Sequence, residues 1–291
     1  MNGWRIQLLA ALLALACAGP QTTTQTLEQV LAHAKPDDWR APDPQQTLYV
    51  DVNGGRVVIE LAPAFAPQHV AAIRALAQRQ FYDGQHVVRV QENYVVQWGG
   101  GDLQAPALAD EYTRTTAGLA FAPLPDGDVY APEVGLVDGL PVARDPAAHA
   151  AWLAHCWSMV GVGRDMPPDN GNGAELYVVS GHAPRHLDRN LAVVGRVLSG
   201  MPLLTALPRG TEALGFYAAD VAKPPIRVQL AADVPLAERV KLEVLRTDTA
   251  TWQAYVAARR TRREPFFVTP TGRIELCSAL PPVRTSPSIP R

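Results

Sequence analysis

A mainly β fold, with its sheet closed or nearly closed on itself, is predicted by three features of the sequence. The strand-like runs are short and heavily punctuated: 26 prolines and 22 glycines interrupt a chain of 291 residues, as in loop-rich β proteins. An Asn53-Gly54 pair joins two β-rich runs, and Asn-Gly is the strongest short-range hairpin signal because a type I′ turn needs φ > 0 at both central positions. Only two helix patterns accompany these strands, too few to supply the crossover helices of βαβ repeats. Apolar residues make up 47% and charged residues 19%, enough to build a core and unlike a disordered chain. The net charge of −2 comes without the basic stripe of a nucleic-acid surface. Three cysteines cannot make a disulfide framework, so the core has to be hydrophobic.

The first element is not part of the fold. Met1–Arg5 carries one positive charge and Leu8–Ala16 is an unbroken apolar run. Nine residues of helix cover about 14 Å, well short of a ~30 Å hydrocarbon core, so residues 1–16 read as a secretory signal peptide. Its end, Leu13-Ala14-Leu15-Ala16-Cys17, resembles a bacterial lipoprotein cleavage box. The resemblance implies a lipid anchor on Cys17, a place on the periplasmic side of the cell envelope and, without Asp at position 18, the outer membrane. An ordinary signal with an incidental cysteine is the alternative.

Residues 17–45 are Thr/Gln-rich, then Pro/Asp-rich, and read as a tether with one short helix, Leu27–Ala34. Leu48–Val52 and Arg56–Leu61 form the hairpin across Asn53-Gly54-Gly55. In Ala64–Gln80 the period changes: Val70, Ile73, Leu76 and Ala77 share one stripe of an amphipathic helix. Strands follow at His86–Val90 and Tyr94–Trp98, the second broken by Gly99-Gly100-Gly101. Residues 103–150 read as a long, weakly periodic insertion. Strands resume at Trp157–Val162, Glu175–Ser180 and Leu191–Val197, then a short helix at Met201–Ala206 and a last run at Ile226–Leu230. Residues 236–279 form a separate β-α-β-like extension: Arg239–Leu245 extended, a helix Thr249–Arg260 capped by Asp248, and a strand Arg273–Cys277. Residues 280–291 read as a loose tail.

Several catalytic signatures are absent. There is no GxGxxG, no phosphate loop, no HExxH and no GxSxG elbow. Gly99-Gly100-Gly101 leads into Asp102, which would repel a phosphate. His182 and His186 have Pro184 between them, and His155-Cys156 lacks ligand spacing, so no metal or cofactor is expected. Arg89 stands out, because an arginine inside a short β-run is costly unless paired or turned into a wet groove. Gln97 does the same on the next strand. Alternation puts Val95 and Gln97 on one face and Tyr94, Val96 and Trp98 on the other. An arginine solvated at a sheet edge is the plain reading; recognition of a carbonyl beside an apolar ring is the functional one.

Taken in order, Ile59-Glu60-Leu61, Ala66-Pro67, Phe81-Tyr82-Asp83-Gly84, Arg89, and Gln97 with Gly99-Gly100 resemble the first half of a cyclophilin-type peptidyl-prolyl cis-trans isomerase. The second half agrees: Trp157-Ser158-Met159, Asn172–Val179, Leu187-Asp188 and Val193–Val197. The resemblance covers about residues 46–230. It implies a closed eight-stranded antiparallel β-barrel capped by two helices, with a groove on its outer surface for proline-containing polypeptides. It makes Arg89 the catalytic arginine and Gln97 its neighbour, and places Tyr94, Val95, Glu175, Tyr177, His186 and Leu187 on the substrate. Val88, Glu175, Gly161, His186 and Leu191 depart from the family's usual residues.

A guanidinium N–H aimed at the prolyl nitrogen is favourable only as that nitrogen pyramidalises, so it lowers the ~18–20 kcal/mol rotation barrier without merely tightening binding. The expected function is therefore peptidyl-prolyl isomerisation in envelope proteins, needing no cofactor. The alternative is a catalytically weak module of the same fold that binds proline segments. With Cys17 given to lipid, Cys156 and Cys277 remain. An oxidising compartment favours their pairing, which would staple the 236–279 extension to a barrel of residues 46–235.

Overall fold

The structure is a computed structural model and describes residues 25–100, 103 and 105–286; the leader and Cys17 lie outside the described residues. The chain opens with α1 (Leu27–Ala32), capped by the Thr26 hydroxyl, which accepts from the Gln29 N–H while the Gln29 side chain accepts from the Thr26 N–H. Then come β1 (Trp39–Arg40), β2 (Thr47–Val52), β3 (Gly55–Leu61), α2 (Pro67–Gln78), β4 (Val87–Val90) and β5 (Val95–Gly99). The region 105–155 holds β6 (Arg114–Thr115), β7 (Ala122–Pro123), β8 (Glu133–Val137), β9 (Leu140–Asp145) and β10 (Ala150–Leu153). Next are β11 (Met159–Val162), β12 (Glu175–Val179), β13 (Val193–Ser199), α3 (Met201–Thr205) and β14 (Ile226–Leu230). The chain finishes with β15 (Leu242–Leu245), α4 (Ala250–Thr261) and β16 (Val283–Thr285).

Eight strands form one antiparallel sheet in the order β14-β2-β3-β13-β11-β12-β5-β4. Its two edges meet: Val87 N–H donates to Pro224 O at 2.9 Å and Ile226 N–H to Gln85 O at 2.8 Å. The result is a nearly closed barrel. The hairpin between β2 and β3 turns as expected, with Asn53 at φ 50 and Gly54 at φ 75. Val57, Ile59, Leu61, Val96, Trp98, Val160, Leu176 and Val178 fill the interior together with Val70, Ile73 and Leu76 of α2 and Met201 and Leu204 of α3.

The alternate residues of β2, β3 and β13 are covered too. Tyr49, Val58 and Leu198 pack with Val234 and with Leu242 and Val244 of the C-terminal extension. Burial on both faces explains why Val57-Val58-Ile59 reads as a continuous apolar run instead of an alternating one.

Residues 103–150 depart from the insertion of weak periodicity. Together with residues 151–153 they form a five-stranded antiparallel sheet, β6-β10-β9-β8-β7. Leu136, Val142 and Trp152 of this sheet share a second core with Trp252, Tyr255 and Val256 of α4. Two of its strands are only two residues long, too short for a period-2 pattern to register.

The tether also departs from expectation over its described part. Val30 is buried and α1 lies against α4, while β1 pairs with β15 through Trp39↔Leu245 and Arg40↔Val244. The helix and strand of this Pro/Asp-rich stretch thus pack against elements more than 200 residues later. The loose tail likewise contributes β16 to the sheet β1-β15-β16. Arg273–Cys277 is not a strand: the Glu275 carboxylate accepts from the N–H groups of Cys277 and Ser278 and winds them into a 3₁₀ turn, Leu276–Ser278. Thr249, not Asp248, caps α4, accepting from Trp252 N–H at 3.1 Å, because Asp248 is engaged with Arg246.

Four links tie this second unit to the barrel or hold it together. Arg40 forks onto Glu60 of β3 at 2.5 and 2.9 Å. Arg196 of β13 donates to Gly139 O and Pro281 O at 3.2 and 3.0 Å, and burial pushes its guanidinium down to about 10. Arg260 forks onto Asp126 at 2.8 and 3.0 Å. Cys156 and Cys277 form a disulfide, with Cα atoms 4.9 Å apart.

Candidate active site

The extension covers the outer face of β2, β3 and β13 but not that of β4, β5 and β12, where Arg89 and Glu175 stay part-exposed above buried Val95, Gln97, Tyr177 and Val179. Register does the rest. Arg89 of β4 lies opposite Gln97 of β5, which lies opposite Tyr177 of β12. A register shift between Val87 and Arg89, of the kind that re-aims side chains beside functional sites, accompanies the turn of Arg89 onto this face.

The half-buried Arg89 guanidinium is held by neutral partners. Its Nη1 donates to Gln97 Oε1 at 3.1 Å, its Nη2 to Gln91 Oε1, and its Nε to Leu214 O at 2.7 Å. The rings of Tyr94 and Phe216 flank it at 5.5 and 5.4 Å. A guanidinium carries five N–H donors; these three bonds leave two. Burial lowers its pKa from the ordinary arginine value, opposed by Tyr94 and Glu175. The Gln97 amide in turn donates to Glu175 Oε1. Burial, reinforced by Asp165, holds the Glu175 carboxyl above the usual carboxylate range, against the pull of Arg89. The amide thus separates cation from carboxylate, and among the described residues no direct ion pair neutralises Arg89.

Beside the arginine, Val95, Tyr177 and Val179 form a small apolar cluster, with Tyr94 and Leu191 packed on it. Gly161 makes room for it, since a Cβ there would run into the Tyr177 ring. Beneath the socket, Tyr177 O–H lies 2.8 Å from His155 Nε2 and His155 Nδ1 lies 3.0 Å from Asp188 Oδ1. Asp188 Oδ2 accepts from Arg185 Nε at 2.6 Å, and Arg185 Nη1 donates to Asp128 at 2.9 Å. Burial works against the Asp188 charge, but hydrogen bonds from His155 and Arg185 and the Arg185 charge outweigh it and hold its pKa below the usual range. A side chain of the inserted segment, Asp128, therefore anchors the floor of the socket.

The structure brings together Arg89, Gln97, Glu175, Tyr94, Val95 and Tyr177. It does not gather His186 and Leu187 with them: both sit on the 3₁₀ turn Arg185–Leu187, His186 exposed, and Leu191 packs beside Tyr177 instead. Strand alternation misplaced Tyr94, which precedes β5 in a turn closed by its N–H to Gln91 O at 3.3 Å and so joins the Arg89 face. Sequence reasoning missed Gln91, Leu214 and Phe216. The last two lie on a Pro/Gly-rich loop that pairs with β4, Tyr217 N–H donating to Val88 O at 3.0 Å and Gly210 N–H to Val90 O at 3.0 Å. No periodicity marks such a loop; the only signal was Leu214-Gly215-Phe216-Tyr217, apolar residues in an otherwise polar connection.

Comparison with known proteins agrees with this geometry. Residues 47–231 match the family model described as cyclophilin type peptidyl-prolyl cis-trans isomerase/CLD. Curated relatives include probable peptidyl-prolyl cis-trans isomerases of Brucella suis biovar 1 and Brucella abortus. Each is 26% identical over 175 residues, covering 60% of this chain and 76% of the relative. Among solved structures, cyclophilin AquaCyp293 from Hirschia baltica aligns with a TM-score of 0.67 at 23% identity, covering 91% of this chain and 100% of that one. This likeness of fold extends well beyond the segment matched by the family.

Proposed function

The chain belongs to the cyclophilin-type peptidyl-prolyl cis-trans isomerase family and is an enzyme of that class, and from this premise we propose that Arg89 carries the isomerisation on the outer face of β4, β5 and β12. One observation bears most of this reading: a half-exposed arginine held by two amides and a carbonyl, beside an apolar socket of Val95, Tyr177 and Val179. Rotation about an X-Pro bond removes the nitrogen lone pair from amide resonance. The two remaining guanidinium N–H groups can donate to that nitrogen as it pyramidalises and to the neighbouring carbonyl, contacts stronger in the twisted state than in either planar isomer. The socket takes the pyrrolidine ring, and Gln97 keeps the arginine aimed. A 10⁴-fold acceleration requires only about 5–6 kcal/mol.

The clients are proline-containing segments of envelope proteins, whose slow isomerisation, on the order of tens of seconds, can limit folding. Export is supported by the apolar run Leu8–Ala16 ahead of Cys17 and by the Cys156–Cys277 bond, which oxidising compartments favour. No helix among the described residues is long and apolar enough to cross a membrane; the anchor in this reading is lipid on Cys17.

Two measurements test it. A protease-free assay on proline peptides compares the wild type with Arg89 variants; full turnover without the arginine would replace catalysis by capture of proline segments. Mass analysis of the mature N-terminus reads the anchor, and a cleaved N-terminus beyond Cys17 without lipid mass would remove it.

A further inference from the structure

The loop that follows α4 keeps its apolar residues in water. Residues 265–273, Pro-Phe-Phe-Val-Thr-Pro-Thr-Gly-Arg, are exposed along their whole length. Phe266 is 85% exposed and Val268 95%, and the Phe267 ring stands edge-on to Phe266 at 5.3 Å. Single exposed apolar residues need no explanation, whereas a contiguous cluster marks a contact surface.

The charge around this tip is segregated. Between positions 259 and 273 the chain has five arginines and one glutamate, although its net charge is −2. Glu264 faces inward and accepts from Leu27 N–H at 3.2 Å. Arg259 lies over Tyr255 and Arg260 is paired with Asp126. Arg262 lies over the Phe267 ring at 5.1 Å, and Arg263 and Arg273 are exposed. Rings and a valine at the tip with guanidinium groups around its base match the two requirements of an interfacial anchor: apolar groups for the headgroup–acyl boundary and cations for lipid phosphates.

The bond from Leu27 to Glu264 also fixes where the N-terminal segment joins the folded body, at the base of this loop. Leu27 lies ten residue steps after Cys17, which fully extended span at most about 35 Å. A lipid on Cys17 would therefore keep this end of the α1–α4 pair close to a bilayer.

We infer that Phe266, Phe267 and Val268 form a docking tip that seats on an anionic phospholipid surface, with Arg262, Arg263 and Arg273 against the phosphates. The inference rests on the anchored reading above for the bilayer it meets, but its test does not use the anchor. A chain of residues 18–291, which retains every described residue, is sedimented with vesicles of phosphatidylethanolamine and phosphatidylglycerol, and separately with phosphatidylcholine. The wild type should bind the anionic vesicles at least about tenfold more strongly, with an affinity that falls as salt is raised. The double variants Phe266→Ser/Val268→Ser and Arg262→Gln/Arg263→Gln should each lose about tenfold in vesicle binding, while peptide isomerisation and the circular dichroism spectrum stay unchanged. Absence of wild-type binding, or undiminished binding by the Phe266→Ser/Val268→Ser chain, overturns the proposal. So does concentration-dependent dimerisation abolished by that variant, which would assign the tip to a second copy. Failure here leaves the anchor standing, because lipid on Cys17 is read from the mature N-terminus.

Discussion

The hydroxyl of Tyr177 lies 2.8 Å from Nε2 of His155, and the two rings lie edge to edge in nearly parallel planes, at an interplanar angle of 7°. This places a polar group under the apolar socket without opening the socket to water. Asp188 accepts from Nδ1–H, so in the neutral ring Nε2 is the acceptor and the tyrosine donates. Tyr177→Phe should leave that buried acceptor unpaired and cost about 1–3 kcal/mol, visible as a melting midpoint lower by several degrees. The ring proposed to face substrate is unchanged, so kcat/KM should stay within about threefold, below 1 kcal/mol. A larger loss of turnover would show that the hydroxyl takes part in more than support.

Arg89→Ala should lower kcat/KM by about 10²-fold or more, equivalent to about 3 kcal/mol of transition-state stabilisation. Arg89→Lys should also be impaired, since an ammonium cannot hold Gln97, Gln91 and the Leu214 carbonyl in one plane while donating to substrate. Both should keep the wild-type far-UV spectrum, because the barrel core lies on the other face of β4. Unimpaired lysine turnover would reduce the role of the arginine to a point charge.

Phe216→Ala removes one of the two rings flanking the guanidinium. Exposed cation–π contacts contribute about 0.5–1 kcal/mol, so turnover on small peptides should fall only about two- to fivefold. The loss should be larger for peptides with a bulky apolar residue next to proline, if this ring serves them as the outer wall. Equal losses across a peptide series would exclude that specificity role.

Glu175 supplies a pH test. Its pKa is raised by burial, so the native state binds its proton more tightly than the unfolded state. Stability should therefore decline as pH rises from the ordinary carboxylate range through the raised native value, and the penalty should persist above it. Glu175→Gln keeps an acceptor for Gln97 and removes that penalty. It should raise the melting midpoint at pH 7–8 by no more than about 2–4 °C and have no effect below about pH 4, where both states carry the proton. A destabilised glutamine variant at pH 7 would mean that attraction to Arg89 outweighs burial.

The disulfide closes a sequence separation of 121 residues. Constraining the unfolded chain over such a loop contributes up to about 4–5 kcal/mol. Cys156→Ala/Cys277→Ala should lower the unfolding midpoint markedly and expose α4 and β16 to early hydrogen exchange, with the barrel strands protected longer. Turnover below the transition should persist, because none of the links from Arg89 passes through a cysteine. Uniform loss of protection would show that the barrel and the second unit unfold as one.

What the sequence by itself determined was local. The Asn53-Gly54 turn, the stripe Val70-Ile73-Leu76-Ala77 and the runs of β3, β5, β12 and β14 follow from φ requirements and periodicity that neighbouring residues impose on one another. Arg89 and Gln97 were legible for the same reason, as polar residues whose burial cost inside short apolar strands demands an explanation. Tertiary structure alone decided the rest. The helix around Val30 was legible but its burial against α4 was not, while Trp39 and Val283 sit in segments too polar or too short to be read as structure and became strands only by pairing with β15. Phe216 reached Arg89 because a loop without periodicity pairs with β4. Asp128 came to support Tyr177 through Arg185, Asp188 and His155 because a five-stranded sheet folds beside the barrel. Contacts of this kind gain their free energy from burial and charge pairing between distant segments, and the residues next to them in the chain carry no trace of it.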